Sequence, residues 1–166
     1  MQVKSLKLGR LKTNCYIVTD NHKSLIIDPA DEPEKIIAEC QNTEVVAILV
    51  THHHWDHVLA LRELEEYYNL KHNAHTSSSI PYEVIKTPGH ASDSLTFYFP
   101  KAQIMFTGDF LFYHTIGRCD LETSSVPAMI NSLELIKKYP DDIIIYPGHG
   151  KPSILGEEKP LFSSYF

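Results

Sequence analysis

Short apolar runs, separated by polar turns and by stretches with helical spacing, fill the first half of the sequence. Residues 3–8 alternate apolar and polar side chains, which is typical of a strand with one buried face. Residues 45–50 form an unbroken and largely β-branched run, which is typical of a buried strand. Apolar residues then recur at helical spacing from residue 58. The pattern predicts strands at 3–8, 14–19, 24–28 and 45–50, and helices at 32–41 and 58–69.

The second half repeats this order, with several strands before a helix. Two apolar runs flank Pro100 and Lys101 and predict a hairpin. Residues 126–138 are amphipathic at helical spacing. The predicted elements are a short strand at 71–75, a loop at 76–79, strands at 81–86, 94–99, 103–107 and 142–146, and a helix at 126–138. No low-complexity linker divides the chain, so we predict a single domain spanning residues 1–166.

The amino-acid composition limits the class of protein but does not indicate a function. The 166 residues are 43% hydrophobic and 22% charged, which is typical of a globular domain. The net charge of −6 argues against a nucleic-acid partner. Three cysteines lie far apart, so no disulfide framework is expected and a reducing compartment fits best. The sequence shows no signal peptide and no apolar run of membrane-spanning length, so we predict a cytoplasmic protein without a membrane partner.

Candidate metal ligands crowd the segment that follows the run 45–50. In an extended loop, residues two apart point the same way, so His52 and His54 can bind one metal while His53 points elsewhere. Asp56 and His57 are adjacent at the start of the predicted helix and suit a second metal. Zinc accepts imidazole and carboxylate ligands together. The segment therefore predicts a metal site on a loop at the carboxyl end of a strand, where α/β proteins usually place their chemistry.

Three more strand ends carry a potential ligand, each next to a glycine. His90 follows Gly89, Asp109 follows Gly108, and His149 follows Gly148. Glycine permits a sharp turn that can direct the next side chain back over the edge of a sheet. A single Gly-His pair is a weak signal, whereas four ligand-bearing strand ends are a strong one.

These motifs resemble those of the metallo-β-lactamase fold hydrolases. The motif HxHxDH spans residues 52–57, and TPGH at 87–90, GD at 108–109 and PGHG at 147–150 follow it. The resemblance implies an α/β fold, a four-layer αββα sandwich of two mixed sheets flanked by helices. It also implies two sets of metal ligands and a bridging one. The first set is His52, His54 and His90, the second is Asp56, His57 and His149, and Asp109 bridges the two metals.

Within that family, the runs 108–112 and 117–120 are similar to the short bacterial members of the glyoxalase II branch. This similarity implies a thioester hydrolase that acts on a small acyl-thioester. The implied cofactors are two divalent metal ions, with zinc favoured over iron or manganese. Such ions supply an acidified water near neutral pH, and Asp56 is expected to orient that nucleophile and take a proton.

Other functions and roles stay open at this point. The same ligands could support a persulfide dioxygenase with one iron held by His52, His90 and Asp109, or a vestigial metal-binding module. A homo-oligomer could complete the substrate pocket, since only 33 positions separate His57 from His90. Several further side chains have undecided roles. Tyr113, His114 and Arg118 could contact substrate, Arg118 is expected to pair with Asp120, and His22, His53, His72 and His75 are expected at the surface.

Overall fold

The computed structural model describes residues 1–74 and 79–166. The chain divides into two compact units, Met1–Pro81 and Tyr82–Phe166. The single domain expected from the sequence stays a prediction. The short strand expected at 71–75 is not formed over residues 71–74, which adopt turns, and its last residue lies outside the described part, as does most of the loop expected at 76–79.

Over its described residues, the first unit is a four-stranded mixed sheet with three helices. Its sheet order is β1-β2-β3-β4, in which β1, β2 and β3 are antiparallel neighbours and β4 runs parallel to β3. Side chains such as Ile26 and Ile48 from the sheet, Ile36 from α1 and Leu64 from α3 are fully buried in one core. The elements are β1 (Gln2–Leu8), β2 (Thr13–Asp20), β3 (Lys23–Ile27), α1 (Pro33–Glu39), β4 (Glu44–Leu49), α2 (Trp55–Val58) and α3 (Leu61–Tyr68).

The single helix predicted over 58–69 is wrong, because the chain forms α2 and α3 with a break between them. The backbone N–H groups of Leu59 and Ala60 donate to the carbonyl oxygens of Ala30 and Pro29, at 3.2 and 3.1 Å. These tertiary bonds replace helical ones and anchor the break to the segment after β3. The end of α3 is as predicted, since Asn69 adopts a left-handed conformation with φ of 51°.

The second unit is a five-stranded mixed sheet in the order β11-β10-β7-β6-β5, with a two-stranded β8-β9 hairpin. The predicted β6–β7 hairpin is confirmed, and a 3₁₀ helix at Pro100–Ala102 joins its strands. Phe110, Met129 and Ile145 are fully buried in its core. The elements are β5 (Glu83–Lys86), β6 (Leu95–Phe99), β7 (Ile104–Gly108), β8 (Leu111–Phe112), β9 (Thr115–Ile116), α4 (Val126–Ile136), β10 (Ile144–Pro147), β11 (Ser153–Ile154), α5 (Leu155–Glu158) and a second 3₁₀ helix (Lys159–Ser164).

The hydropathy pattern missed β8, β9, β11 and α5, because elements of two to four residues are too short to show a period. The long helix α4 was found, and its start has a clear cause. Ser125 is the N-cap, its hydroxyl accepts the N–H of Ala128 at 3.3 Å, and Pro127 lies in the first turn.

The three cysteines carry free thiols, in agreement with the sequence prediction. Burial raises the pKa of the Cys15 thiol well above its usual value. Over the described residues, no helix combines the length and the apolar character that crossing a bilayer requires.

Candidate metal centre

The segment after β4 brings His52 and His54 side by side. His54 is the N-cap of α2 and has an extended backbone, so its side chain returns to the side that His52 occupies. The His52 Nε2 and His54 Nδ1 atoms lie 3.1 Å apart. Two nitrogens bound to one zinc ion at a tetrahedral angle lie about 3.3–3.4 Å apart, given bond lengths of about 2.0–2.1 Å. The pair therefore has the spacing of two ligands to one metal.

A buried carboxylate holds this segment in place. Asp28 is only 2% exposed and follows β3 with a left-handed φ of 51°. Its Oδ1 accepts the N–H of Thr51 at 2.7 Å, and its Oδ2 accepts the Thr51 hydroxyl at 2.7 Å and the His57 Nδ1–H at 2.9 Å. Since a carboxylate only accepts hydrogen bonds, His57 must be protonated on Nδ1, which leaves the lone pair of a neutral ring on Nε2.

The same network fixes the tautomer of His52. The single proton of the Thr51 hydroxyl is donated to Asp28, so Thr51 Oγ1 can only accept from His52 Nδ1, which lies 3.1 Å away. The lone pair of the neutral His52 ring is therefore on Nε2, the atom that faces His54. These tautomers are inferred from the hydrogen-bond partners.

Asp56, in helix α2, is held by a hydroxyl from strand β2. The Thr13 hydroxyl, at the start of β2 and 1% exposed, donates to Asp56 Oδ2 at 2.9 Å. The same oxygen lies 3.6 Å from His57 Nε2. Asp56 and His57 thus direct potential ligand atoms to a common point, as their position at the start of a helix suggested.

In the second unit, Asp109 lies between two histidines. Its Oδ2 is 3.6 Å from His90 Nε2 and 3.6 Å from His149 Nε2. The Nδ1 atom of His90 lies 3.0 Å from the carbonyl oxygen of Arg118, which can only accept, so the lone pair of the neutral His90 ring is on Nε2. One carboxylate with a ring nitrogen on each side is an arrangement suited to bridging two metals.

Glycines let the chain pass close to these side chains. A Cβ on Gly117 would lie 1.9 Å from the carbonyl oxygen of Asp109 and 2.9 Å from the Cβ of His90. A Cβ on Gly89 would lie 2.7 Å from the backbone of Met129 in α4. Any larger residue at either position would displace the backbone that carries His90.

The candidate ligands are of the types that zinc and similar divalent metals accept. They consist of imidazoles and carboxylates, and the assigned tautomers place lone pairs on His52, His57 and His90 Nε2 atoms that face other ligands. The chain thus contains His/Asp clusters able to bind metal ions.

A family comparison agrees with this ligand chemistry. The sequence model of the Metallo-beta-lactamase superfamily matches residues 8–77 and 72–149, which is most of the chain. The protein belongs to this superfamily.

Relatives within the metallo-β-lactamase superfamily include hydroxyacylglutathione hydrolases. That of Bartonella tribocorum is 32% identical over 83% of this chain, which spans 63% of the relative's length. The hydroxyacylglutathione hydrolase of Haemophilus influenzae is 26% identical over 96% of this chain and 95% of its own. A crystal structure of TTHA1623 in a di-iron-bound form has a TM-score of 0.83 and 31% identity, covering 93% of this chain and 96% of that one. The predicted α/β metallo-β-lactamase fold, with mixed sheets flanked by helices, is confirmed.

The side chains that support the ligands of this superfamily member were not found from the sequence. Asp28, Thr51 and Thr13 lie in apolar or polar runs without a motif of their own. One signal was available for Asp28: it is an acid that closes an otherwise apolar strand and precedes Pro29. A buried acid needs hydrogen-bond partners, so this position is a signal from which a network around Asp28 could have been predicted.

The remaining candidates have clear positions. Arg118 forms a bidentate pair with Asp120 at 2.6 and 2.7 Å, as predicted, and this pair lowers the pKa of the Asp120 carboxyl. Burial raises the pKa of the Cys119 thiol, which disfavours the nucleophilic thiolate. His22 and His53 are exposed, as expected, and His72 is half-buried, whereas His75 lies outside the described residues.

Next to His149, an apolar groove of about 400 Å³ lies within the second unit. The ammonium group of Lys151 lies 3.6 Å from the centre of the Tyr113 ring, in a cation–π contact. The adjacent His114 donates its backbone N–H to Glu158 at 2.9 Å. The groove is lined by Phe112, Tyr113, Thr115, His149, Gly150 and Lys151.

Proposed function

We propose that the two ligand sets bind a common pair of divalent metal ions, with zinc as the native metal. His52, His54 and His90 would hold one ion, Asp56, His57 and His149 the other, and Asp109 would bridge them. Three observations support this assignment: the tautomers that direct lone pairs toward other ligands, the 3.1 Å spacing of the first pair, and the position of Asp109 between two histidines.

We propose that this site hydrolyses small acyl-thioesters, as a glyoxalase II-type enzyme does. The observation that carries this proposal is the similarity to the Haemophilus influenzae hydroxyacylglutathione hydrolase over nearly the whole length of both chains. The substrate would then be a small molecule, and no part of the proposal requires a nucleic acid or a membrane.

Each protein side chain has a defined task in this scheme. When bound, two divalent ions supply Lewis-acid chemistry, which acidifies a water to a pKa near 7 and polarises a carbonyl group. Asp56 orients the nucleophilic water and accepts its proton, and the Thr13 hydroxyl keeps that carboxylate in position. The groove beside His149 receives the acyl or thiol portion of the substrate, with Lys151 available to an anionic group.

Only 33 positions separate His57 from His90, so we propose that the chain forms only a short pocket wall there and that remote binding energy is limited. Such energy normally positions the scissile carbonyl, and its loss lowers both affinity and turnover. We therefore expect weak and broad thioesterase activity, with S-lactoylglutathione little better than a simple thioester. A preference of a hundredfold or more in kcat/KM for S-lactoylglutathione would contradict this expectation, unless gel filtration showed a homo-oligomer that completes the wall.

The second candidate is a persulfide dioxygenase that uses one iron. The crystal structure of TTHA1623, which is 31% identical to this chain, is of a di-iron-bound form, and this makes iron a candidate metal. Two histidines with one carboxylate are also a common iron-binding set. Elemental analysis of the purified protein, combined with a thioester and β-lactam panel and with oxygen uptake on glutathione persulfide, separates the candidates. Two zinc ions with thioester turnover support the hydrolase, one iron with oxygen uptake supports the dioxygenase, and full metal loading without turnover supports a vestigial module.

A single substitution tests the role of Asp56. Asp56→Ala removes a ligand and the proton acceptor, but the sheets supply the core, so turnover should fall at least about 100-fold while the protein stays folded. Steady-state kinetics and circular dichroism measure the two effects separately. Unfolding of this variant would show that the motif is mainly structural.

A further inference from the structure

A second pair of histidines lies outside the seven proposed ligands, at the surface of the first unit. His53 and His72 face each other, with 3.1 Å between their Nε2 atoms and 5.2 Å between ring centres. His53 is exposed and His72 is half-buried. Neither has a task in the proposed hydrolysis.

The position of His72 is built into the fold. The side chain of Asn73 accepts the N–H of Val50 at 2.9 Å and donates to its carbonyl oxygen at 3.0 Å, and the Asn73 N–H donates to Ile48 at 2.9 Å. These three bonds attach the segment after α3 to the end of β4. The neighbouring His72 is thereby placed against the loop that carries His53.

A carboxylate orients the His72 ring. Glu65 Oε1 accepts both the backbone N–H and the Nδ1–H of His72, each at 2.8 Å. Burial acts to raise the pKa of Glu65, but the bonds from His72 outweigh it and hold that pKa below its usual value. Because the carboxylate only accepts, the lone pair of the neutral His72 ring is on Nε2 and points at His53. A carboxylate behind a histidine is the usual support of a metal-binding imidazole.

The nitrogen spacing is the same as in the proposed catalytic pair. The separation of 3.1 Å between His53 and His72 equals that between His52 and His54. It is close to the roughly 3.3–3.4 Å expected for two imidazoles on one tetrahedral zinc ion. An ion at this place would replace the N–H···N hydrogen bond that now joins the rings, with little movement of either side chain.

We propose that His53 and His72, oriented by Glu65, form an accessory site for a divalent transition metal. Two imidazoles select ions such as Cu²⁺, Ni²⁺ and Zn²⁺ over Mg²⁺ or Ca²⁺, and solvent completes the coordination. With two protein ligands, the site binds its ion more weakly than a centre with three or four. The proposal does not depend on the hydrolytic activity, because it concerns side chains on another face of the ligand loop.

The test is a titration of the metal-replete protein with Cu²⁺, followed by calorimetry and by electron paramagnetic resonance. We expect one further equivalent of Cu²⁺ with nitrogen couplings from imidazole. His72→Asn and His53→Asn should each weaken this binding at least tenfold and leave the metal content before titration unchanged. Glu65→Gln should keep the stoichiometry but lower the affinity about 10–100-fold.

His22→Asn is the matched control, because His22 is an exposed histidine in a left-handed turn position that asparagine tolerates. It should leave the further equivalent unchanged. Thermal unfolding followed by circular dichroism verifies that each variant is folded. Absence of a further equivalent in the parent protein, or its persistence in both His53→Asn and His72→Asn, would overturn the proposal.

Discussion

In the first unit, four of the proposed ligands lie on one segment of six residues, whereas in the second unit three ligands follow three separate strands. The supports differ as well. Buried side chains hold the first group: Asp28 binds His57 and, through Thr51, His52. The backbone holds the second group, since the Arg118 carbonyl accepts from His90 and glycines make room for it. The ligands of the two units are of the same types, but different substitutions are therefore expected to displace them.

The largest effect is expected where the first unit depends on one buried charge. Asp28→Ala would leave the Thr51 N–H, the Thr51 hydroxyl and the His57 Nδ1–H without their acceptor in a dry interior. We expect a loss of about 3 kcal/mol or more in the free energy of unfolding, measured by urea denaturation, and metal affinity lowered about 10–100-fold.

Asp28→Asn is the control for this prediction. Its amide oxygen can still accept from the Thr51 N–H, but its NH₂ group cannot accept from His57. An intermediate loss is expected. If the alanine variant retained both stability and metal, the first unit would not depend on this carboxylate.

In the second unit, the corresponding weak point is a glycine. Gly117→Ala should shift the backbone near Asp109 and His90, since its Cβ would lie 1.9 Å from a carbonyl oxygen. We expect turnover to fall at least about tenfold through misplaced ligands, with a stability loss of about 1–3 kcal/mol. Kinetics and metal analysis measure the effect.

Gly150→Asn is the matched variant, because a Cβ at Gly150 meets nothing within 4 Å and asparagine tolerates its φ of 82°. It should keep its metal. Equal losses of metal in the two glycine variants would mean that strain along the chain, rather than the contact with Asp109, causes the effect.

A smaller effect is expected at the hydroxyl that supports Asp56. Thr13→Val keeps the shape but removes the donor at 2.9 Å, so we expect about 0.5–1.5 kcal/mol of lost stability and a few-fold loss in kcat. Denaturation and kinetics at saturating substrate test this. Thr13→Ser, which retains the hydroxyl, should restore kcat; failure to do so would assign the role of Thr13 to packing.

The smallest effect is expected at the Arg118 side chain. Its backbone carbonyl supports His90, whereas its guanidinium only pairs with Asp120 at an exposed position. Arg118→Ala should therefore change metal content and kcat by less than about twofold. A large rise in KM without a change in kcat would instead identify Arg118 as a substrate contact.

The sequence predicted the long elements well, because they have a readable pattern, whereas the seven ligand residues stay a prediction. Strand periodicity located β2, β3 and β4, and the HxHxDH motif located the segment after β4. The break between α2 and α3 could not be predicted, since it results from hydrogen bonds to Pro29 and Ala30, which are distant in sequence. Likewise, Thr13 and Asp56 are 43 residues apart, and only the folded chain brings them together.

The parallel pairing of β7 and β10 has a consequence for the spacing of the ligands. A register shift pairs Pro147 with Gly108, and the Gly148 N–H donates to the Gly108 carbonyl at 2.8 Å. The chain segments that carry Asp109 and His149 therefore leave adjacent strands side by side, since neighbouring strands of a sheet lie about 4.8 Å apart. The backbone pairing of β7 and β10 therefore fixes the spacing of these two segments. Heating, or substitution of side chains in the nearby loops, should alter the shape of the pocket before it alters this spacing.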